Sequence, residues 1–269
     1  MKYTLQTVLT LGICYLVLLS GFYFFQNSLM FIPAKEMIAT PESVGLAYEE
    51  HYFETADGEK LHSWFIINES SDKIVKVSHG NAGNISGRVG LAKVLHEAGF
   101  SVFMYDYRGY GKSSGKPNEK GLYLDAEAAL NFLTQHLQHE ERNIIPFGRS
   151  LGGPVAAYIA ANFKIGGLAI DSSFINMKAI VSELYPFLPS FLTHANFPTQ
   201  KYLSEIRGIP VMILHSRDDD LIGFHHGEKL FETASEPKRF IELRGGHNDS
   251  FLESEAKYLR AWQDFGQEL

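Results

Sequence analysis

Along most of its length the chain alternates short apolar runs rich in Val, Ile and Phe with longer stretches whose apolar residues recur at helical spacing. The runs are LHSWFII from Leu61, KIVKVSHG from Lys73, SVFMYD from Ser101, NIIPFG from Asn143, GLAID from Gly167, VMILHS from Val211 and RFIEL from Arg239. Short, nearly unbroken hydrophobicity of this kind predicts strands buried on both faces. Between them, Ile85, Val89, Ala92 and Leu95, then Leu122, Ala126, Leu130, Leu133 and Leu137, then Val155, Ile159 and Phe163 predict helices. Phe251, Tyr258, Leu259 and Trp262 predict a final one. Parallel neighbours need a crossover, usually a helix, so this alternation selects an α/β fold: a mainly parallel central sheet with helices on both faces. No internal repeat or long linker interrupts it.

One part of the chain stands outside that pattern. No charged residue lies between Lys2 and Lys35, and Leu5 to Phe25 reads LQTVLTLGICYLVLLSGFYFF. As a helix this stretch spans about 30 Å, the thickness of a bilayer core. It exceeds the roughly 7 to 15 apolar residues of a secretory signal and lacks an A-x-A-like cleavage site. It is apolar on every face, unlike the amphipathic helices that follow. The expected division is therefore an N-terminal single-pass membrane anchor over residues 1–28 and a soluble domain over 29–269, with Tyr23, Phe24 and Phe25 near the interface. Lys2 and the amino terminus favour an inside N-terminus, which places the domain on the non-cytoplasmic side.

Composition removes several classes. A chain 45% hydrophobic and 20% charged is not disordered. A net charge of −7 without a run of Lys or Arg argues against nucleic acid, whose phosphates need a clustered positive field. Cys14 is the only cysteine, so an intramolecular disulfide, a CxxC redox motif and a Cys-rich zinc site are excluded. A nucleophile must be something else.

Gly148, Arg149, Ser150, Leu151 and Gly152 form G-x-S-x-G between a strand and a helix. A serine on such a turn exposes its Oγ at the carboxyl edge of the sheet, and the helix N-terminus favours developing negative charge. Serine is a weak nucleophile and needs a histidine base held by a carboxylate. Both lie downstream: VMILHS runs into Asp218, Asp219 and Asp220, and RFIEL runs into a Gly-flanked loop with His247. The order Ser, Asp, His is that of an α/β-hydrolase triad. Asp171, ending another strand, is a lesser candidate acid. The stretch from Ser172 to Gly208, with Leu184, Tyr185, Phe187, Leu188, Phe191 and Leu192 around Pro186 and Pro189, is either a small apolar cap (about 172–208) or a plain crossover.

At these residues the sequence resembles the α/β-hydrolases over almost all of the chain after the anchor. SHGNAGN at Ser78–Asn84 resembles the family's oxyanion loop, DYRGYGKSSG at Asp106–Gly115 its D-x-R-G-x-G-x-S turn, and GRSLGG and GGHND its nucleophile elbow and histidine loop. The resemblance implies Ser150 as nucleophile, His247 as general base and Asp219 as orienting acid. A shift of one position would exchange Asp219 with Asp218 or Asp220, otherwise solvated or loop-capping groups. It implies an oxyanion hole from the backbone N–H groups of Leu151 and Asn81, and a structural role for His79. The anchor followed by QNSLMFIP is similar to membrane-anchored serine hydrolases that include protein depalmitoylases. The implied activity is cleavage of a carboxylic ester or thioester of an acylated or lipid-like substrate. A serine peptidase of the aminopeptidase type and a non-catalytic binding protein are the alternatives on the same fold.

Other signals lead nowhere. GYGKSS contains G-K-S, but Asp106 occupies the place of the first P-loop glycine. Asp106 and Arg108 read as an ion pair that stabilises their turn. His225 and His226 are adjacent, do not share a helix face and read as surface or cap-lining groups rather than metal ligands. His136 and His139 end a helix, where a cation complements the dipole. No cofactor or metal is implied, and the oligomeric state is not encoded in any of these motifs.

Overall fold

The computed structural model describes residues 2–269, the side chain of Lys2 excepted; Met1 and that side chain, on which the charge-based orientation rests, lie outside the described residues. One sheet of eight strands organises the domain: β1 (Glu49–Glu54), β2 (Lys60–Ile66), β3 (Ile74–Ser78), β4 (Ser101–Tyr105), β5 (Ile144–Arg149), β6 (Leu168–Asp171), β7 (Val211–Ser216) and β8 (Lys238–Leu243). Their spatial order is β1-β2-β4-β3-β5-β6-β7-β8. β1 pairs with β2, and β2 with β4, in antiparallel register; every pairing from β4 to β8 is parallel. β3 to β7 are buried throughout, as their unbroken apolar runs require. β1 was not legible as a strand: EEHYFE is charged, and Phe53 is its only buried residue, because it is an edge with one wet face.

The helices are α1 (Lys2–Met30), α2 (Val89–Glu97), α3 (Glu119–Asn131), α4 (Gly152–Asn162), α5 (Met177–Leu184), α6 (Thr199–Glu205), α7 (Phe224–Thr233), α8 (Ser250–Glu253) and α9 (Glu255–Gly266). Two apolar cores flank the sheet. One joins Phe103, Tyr105, Leu122, Val155, Ile170, Leu203 and Leu230; the other joins Trp64, Val77, Leu95, Phe147, Leu214, Tyr258 and Trp262. Each fully buried large side chain contributes about 1.5–3 kcal/mol.

The segment between β6 and β7 divides. α6 packs on α4 and α7 as an ordinary crossover helix, while α5 packs with the turn at Ser190–Leu192 and sends Met177 and Val181 into the core. The N-terminal helix also departs from the expected division at residue 28. α1 runs through Met30, and its stripe Leu19, Phe22, Gln26 and Met30 turns toward the domain. Gln26 is buried: its Nε2 donates to the Leu192 carbonyl (3.2 Å) and its Oε1 accepts from the His194 N–H (2.6 Å).

Candidate active site

Ser150 sits where β5 turns into α4, with φ +53°. That left-handed conformation costs a non-glycine residue about 1–2 kcal/mol and is held by the packing around it. A Cβ on Gly148 would strike the backbone of Gly152, and one on Gly152 would strike the backbone of Ser78, so both glycines are what let strand and helix close over the turn. The Ser150 N–H donates to the Asp171 carbonyl (2.9 Å), and Ser173 Oγ donates to the Ser150 carbonyl (2.8 Å).

β7 and β8 bring the other two residues to this point. His247 Nε2 lies 3.1 Å from Ser150 Oγ, and His247 Nδ1 lies 2.8 Å from Asp219 Oδ2. A carboxylate only accepts, so Nδ1 carries the proton and the Nε2 lone pair faces the serine hydroxyl. Asp219 Oδ1 accepts from the N–H groups of Leu221 (3.0 Å) and Ile222 (2.7 Å). Burial works to raise the Asp219 pKa, but the hydrogen bond and charge of His247, with those two amides, outweigh it and hold the carboxyl below its ordinary value. Its neighbours have other tasks. Asp220 Oδ1 accepts from the His247 N–H (2.8 Å), and Asp218 pairs with Arg244 at the surface (2.9 Å).

Asp171 is not placed to orient His247. Its Oδ2 lies 3.3 Å from Arg149 Nε and accepts from Tyr258 O–H (3.1 Å), while Oδ1 accepts from Ser172 Oγ (2.9 Å). Arg149, the variable residue of the G-x-S-x-G motif, also donates from Nη2 to the His247 carbonyl and stacks its guanidinium 5.6 Å from the Phe251 ring centroid. It therefore ties the serine turn to the histidine loop. Only its place next to Ser150 marked it in the sequence.

On the opposite side lies the loop after β3. A Cβ on Gly80 would sit 3.6 Å from Ser150 Cβ, so this loop borders the serine. Among the described residues, no protein acceptor takes the N–H of Asn81 or of Leu151. The Asn81 side chain is fully engaged elsewhere: Nδ2 donates to the Met30 carbonyl (2.6 Å), and Oδ1 accepts from the Ile32 N–H (3.2 Å) and Tyr110 O–H (2.9 Å). The chain just after α1 continues the contact, with Ala34 N–H donating to the Gly83 carbonyl and Gly83 N–H to the Ile32 carbonyl. The end of α1 and this loop are thus one unit. His79 is buried below the loop, bonded through Nδ1 to the Gly80 carbonyl (2.7 Å), and burial pushes its pKa down to about 4.

Asp106 and Arg108 do not pair with each other. Asp106 accepts from the Ile85 N–H (2.9 Å) and faces His62 Nδ1 (3.2 Å), whereas Arg108 bonds Asp125 (2.9 Å) and Asp57 (2.8 Å and 2.9 Å). Positions two apart on a strand would share a face, but β4 ends at Tyr105, and the turn that follows carries the two charges to different partners. His139 likewise owes its place to packing, edge-on to Phe65 at 5.6 Å, and burial pulls its pKa down. His225 and His226 both reach Glu183 of α5, Nε2 to carboxylate at 3.2 Å and 3.1 Å. His226 Nδ1 accepts from the Ile175 N–H (3.3 Å), so its Nε2 carries the proton that Glu183 receives and has no lone pair for an ion.

A family model described as the α/β hydrolase fold matches residues 73–188. The chain is 34% identical over 243 residues to an uncharacterized membrane protein of Saccharomyces cerevisiae, covering 86% of each chain. It is 30% identical over 264 residues to the α/β-hydrolase domain-containing protein WAV2 of Arabidopsis thaliana, covering 88% of this chain and 85% of that one. Among solved structures, the Pyrococcus furiosus esterase Pf2001 superposes with a TM-score of 0.75 at 22% identity, over 88% of this chain and 97% of that one. This chain belongs to the α/β-hydrolase family.

Proposed function

We propose that the protein is a membrane-anchored serine hydrolase that cleaves a carboxylic ester or thioester of an acylated substrate through an acyl-enzyme on Ser150. The observation that carries this reading is the relay from Ser150 Oγ to His247 Nε2 (3.1 Å) and from His247 Nδ1 to Asp219 (2.8 Å), built on a strained strand-to-helix turn. Ser150 Oγ attacks the carbonyl carbon as His247 Nε2 takes its proton. The oxyanion forms beside the Leu151 and Asn81 amides, which have no other acceptor and act on charge that exists only in the transition state. Collapse of the intermediate sends the proton from His247 to the departing alcohol or thiol. A water then repeats the sequence and frees the acid. Asp219 keeps the tautomer and stabilises the imidazolium without itself being protonated, in keeping with its lowered pKa.

The Tyr3–Met30 helix supports the anchor, and the non-cytoplasmic placement of the domain rests on the charge of Lys2 and the amino terminus alone. The test is fluorophosphonate labelling of the full chain in detergent, followed by hydrolysis of acyl esters from short to long chain. Labelling and turnover that both vanish in Ser150→Ala support the reading. A folded chain that labels at no residue supports a binding protein instead, and Ser150-dependent cleavage of peptides but not esters supports a peptidase. The full chain is required, because the end of α1 holds the loop that carries Asn81.

A further inference from the structure

The tip of the cap, LYPFLPSFL at residues 184–192, carries no charge; Leu188 turns into the core, but four other large apolar side chains stand in the open. Phe187 is 55% and Phe191 78% exposed, with Leu184 and Tyr185 also exposed beside them. A contiguous apolar surface of this kind marks a contact with something outside the chain. What lies next to it is α1. Tyr15 O–H donates to the Phe187 carbonyl (2.7 Å), Gln26 clamps Leu192 and His194, and the Tyr23 ring stands edge-on to His194 at 4.3 Å.

Helix length then fixes the level of the tip. The apolar helix Tyr3–Met30 has 28 residues, about 42 Å at 1.5 Å per residue, whereas a bilayer core is about 30 Å thick. Gln26 and Met30 are bound to the domain and Leu19 and Phe22 pack against its core on the same face, so the surplus lies at that end, and the bilayer takes the residues before it together with the cap face beside Tyr15. Tyr15 then falls inside the near face of the core, and the cap tip bonded to it lies at a similar depth, within the roughly 5–10 Å to which apolar segments insert.

We propose that residues 184–192 form a second membrane-contact element, seated in the lipid beside α1, and that Ser150 receives its acyl group from that bilayer. This rests on the reading of α1 as an anchor and of Ser150 as a nucleophile. Both loops that border Ser150 lead to this surface. Ser173, which bonds the Ser150 carbonyl, begins the chain that becomes the cap, and Asn81 is fastened to the end of α1. The substrate class that fits is an acyl ester or thioester whose hydrocarbon chain lies in the membrane and whose carbonyl sits at the interface.

The experiment uses the full chain in phosphatidylcholine nanodiscs. In a Cys14→Ser background, Phe191→Cys carries an environment-sensitive fluorophore, and Lys257→Cys on α9 is the water-facing control. Quenching of the Phe191→Cys label by nitroxide on lipid chains, with shielding from aqueous iodide, is the expected result, and the Lys257→Cys label should do the reverse. Iodide quenching at both positions overturns the proposal, as does shielding from both quenchers, which would mean that protein covers the tip. A second measurement needs no label. Phe187→Ser with Phe191→Ser should lower the ratio of activity on a vesicle-borne long-chain ester to that on a soluble short-chain ester about tenfold; an unchanged ratio overturns the proposal. Fluorophosphonate labelling of the same samples separates the two readings. Lipid quenching without Ser150 labelling removes the hydrolase and keeps the contact, and Ser150 labelling with a wet tip removes the contact alone.

Discussion

The two sides of Ser150 are built in different ways. On the β7–β8 side, Asp219 and His247 stand at the ends of adjacent parallel strands, paired from Val211–Lys238 through Ser216–Leu243, and short local bonds finish the placement. On the β3 side, the loop carrying Asn81 depends on residues far away in the chain, because the end of α1 and the residues just after it grip it through Met30 and Ile32. The first side inherits its precision from the sheet, while the second borrows it from a helix expected to be only a tether. Buried cations sharpen the contrast. Arg149, serving the histidine side, is neutralised by Asp171, whereas Lys76, in the strand that feeds the Asn81 loop, is fully buried with no hydrogen-bond partner for its Nζ and only the Tyr105 ring, 5.0 Å away, beneath it.

The largest expected effect tests the sheet-built side. Asp219→Asn should lower kcat about 10⁴-fold by releasing the His247 tautomer. Asp218→Asn, which weakens a surface pair with Arg244 and keeps an oxygen for the long bond from the Gly245 N–H, should stay within about threefold. Steady-state kinetics on an activated ester checks both, and an equal loss in the Asp218 variant would move the acid by one position. Arg149→Met comes next. It leaves Asp171 buried without its cation, costing roughly 3–5 kcal/mol, and should appear as a lower Tm together with reduced kcat as the His247 carbonyl loses its donor.

Lys76 predicts the opposite sign. Burial pushes its pKa down from 10.5 to about 7. Between those values the unfolded chain binds more protons than the folded one, so stability rises with pH across that window, and below about pH 7 the full penalty applies. Lys76→Met should raise stability by roughly 2–4 kcal/mol at pH 7, and the advantage should shrink toward pH 10. Thermal unfolding of both chains in detergent between pH 6 and 10 is the check. A pH-independent difference would mean that Lys76 is neutral or paired.

The same contrast explains what could be read in advance. The parallel strands announced themselves as apolar runs, and the ends of three of them carry Ser150, Asp219 and His247, so local sequence was enough to bring those residues to one edge. β1 stayed hidden because an edge strand with one buried residue has no apolar signature. The partners of Arg108 were misread because two charges close in sequence need not be close in space: Asp57 and Asp125 lie far along the chain in both directions. Gln26 and the Asn81 amide group gave no signal for a related reason. A single polar residue in an apolar helix and an asparagine in a loop acquire meaning only from what folds against them.

Asn81 gives the smallest of these effects and the sharpest test of the borrowed side. Asn81→Ala keeps the backbone N–H but removes the bonds to Met30, Ile32 and Tyr110. If α1 holds the loop in register, the amide drifts from the developing oxyanion and kcat falls about tenfold with KM unchanged, since that contact is made in the transition state and not with bound substrate. Asn81→Asp keeps the acceptor for Ile32 and Tyr110 but turns a carboxylate oxygen toward the Met30 carbonyl and sets a negative charge near the oxyanion, so it should lower kcat at least as far as Asn81→Ala. A merely structural role would lower Tm and leave kcat untouched. A rise in KM instead would place Asn81 against the substrate, and α1 would then shape recognition rather than the chemical step.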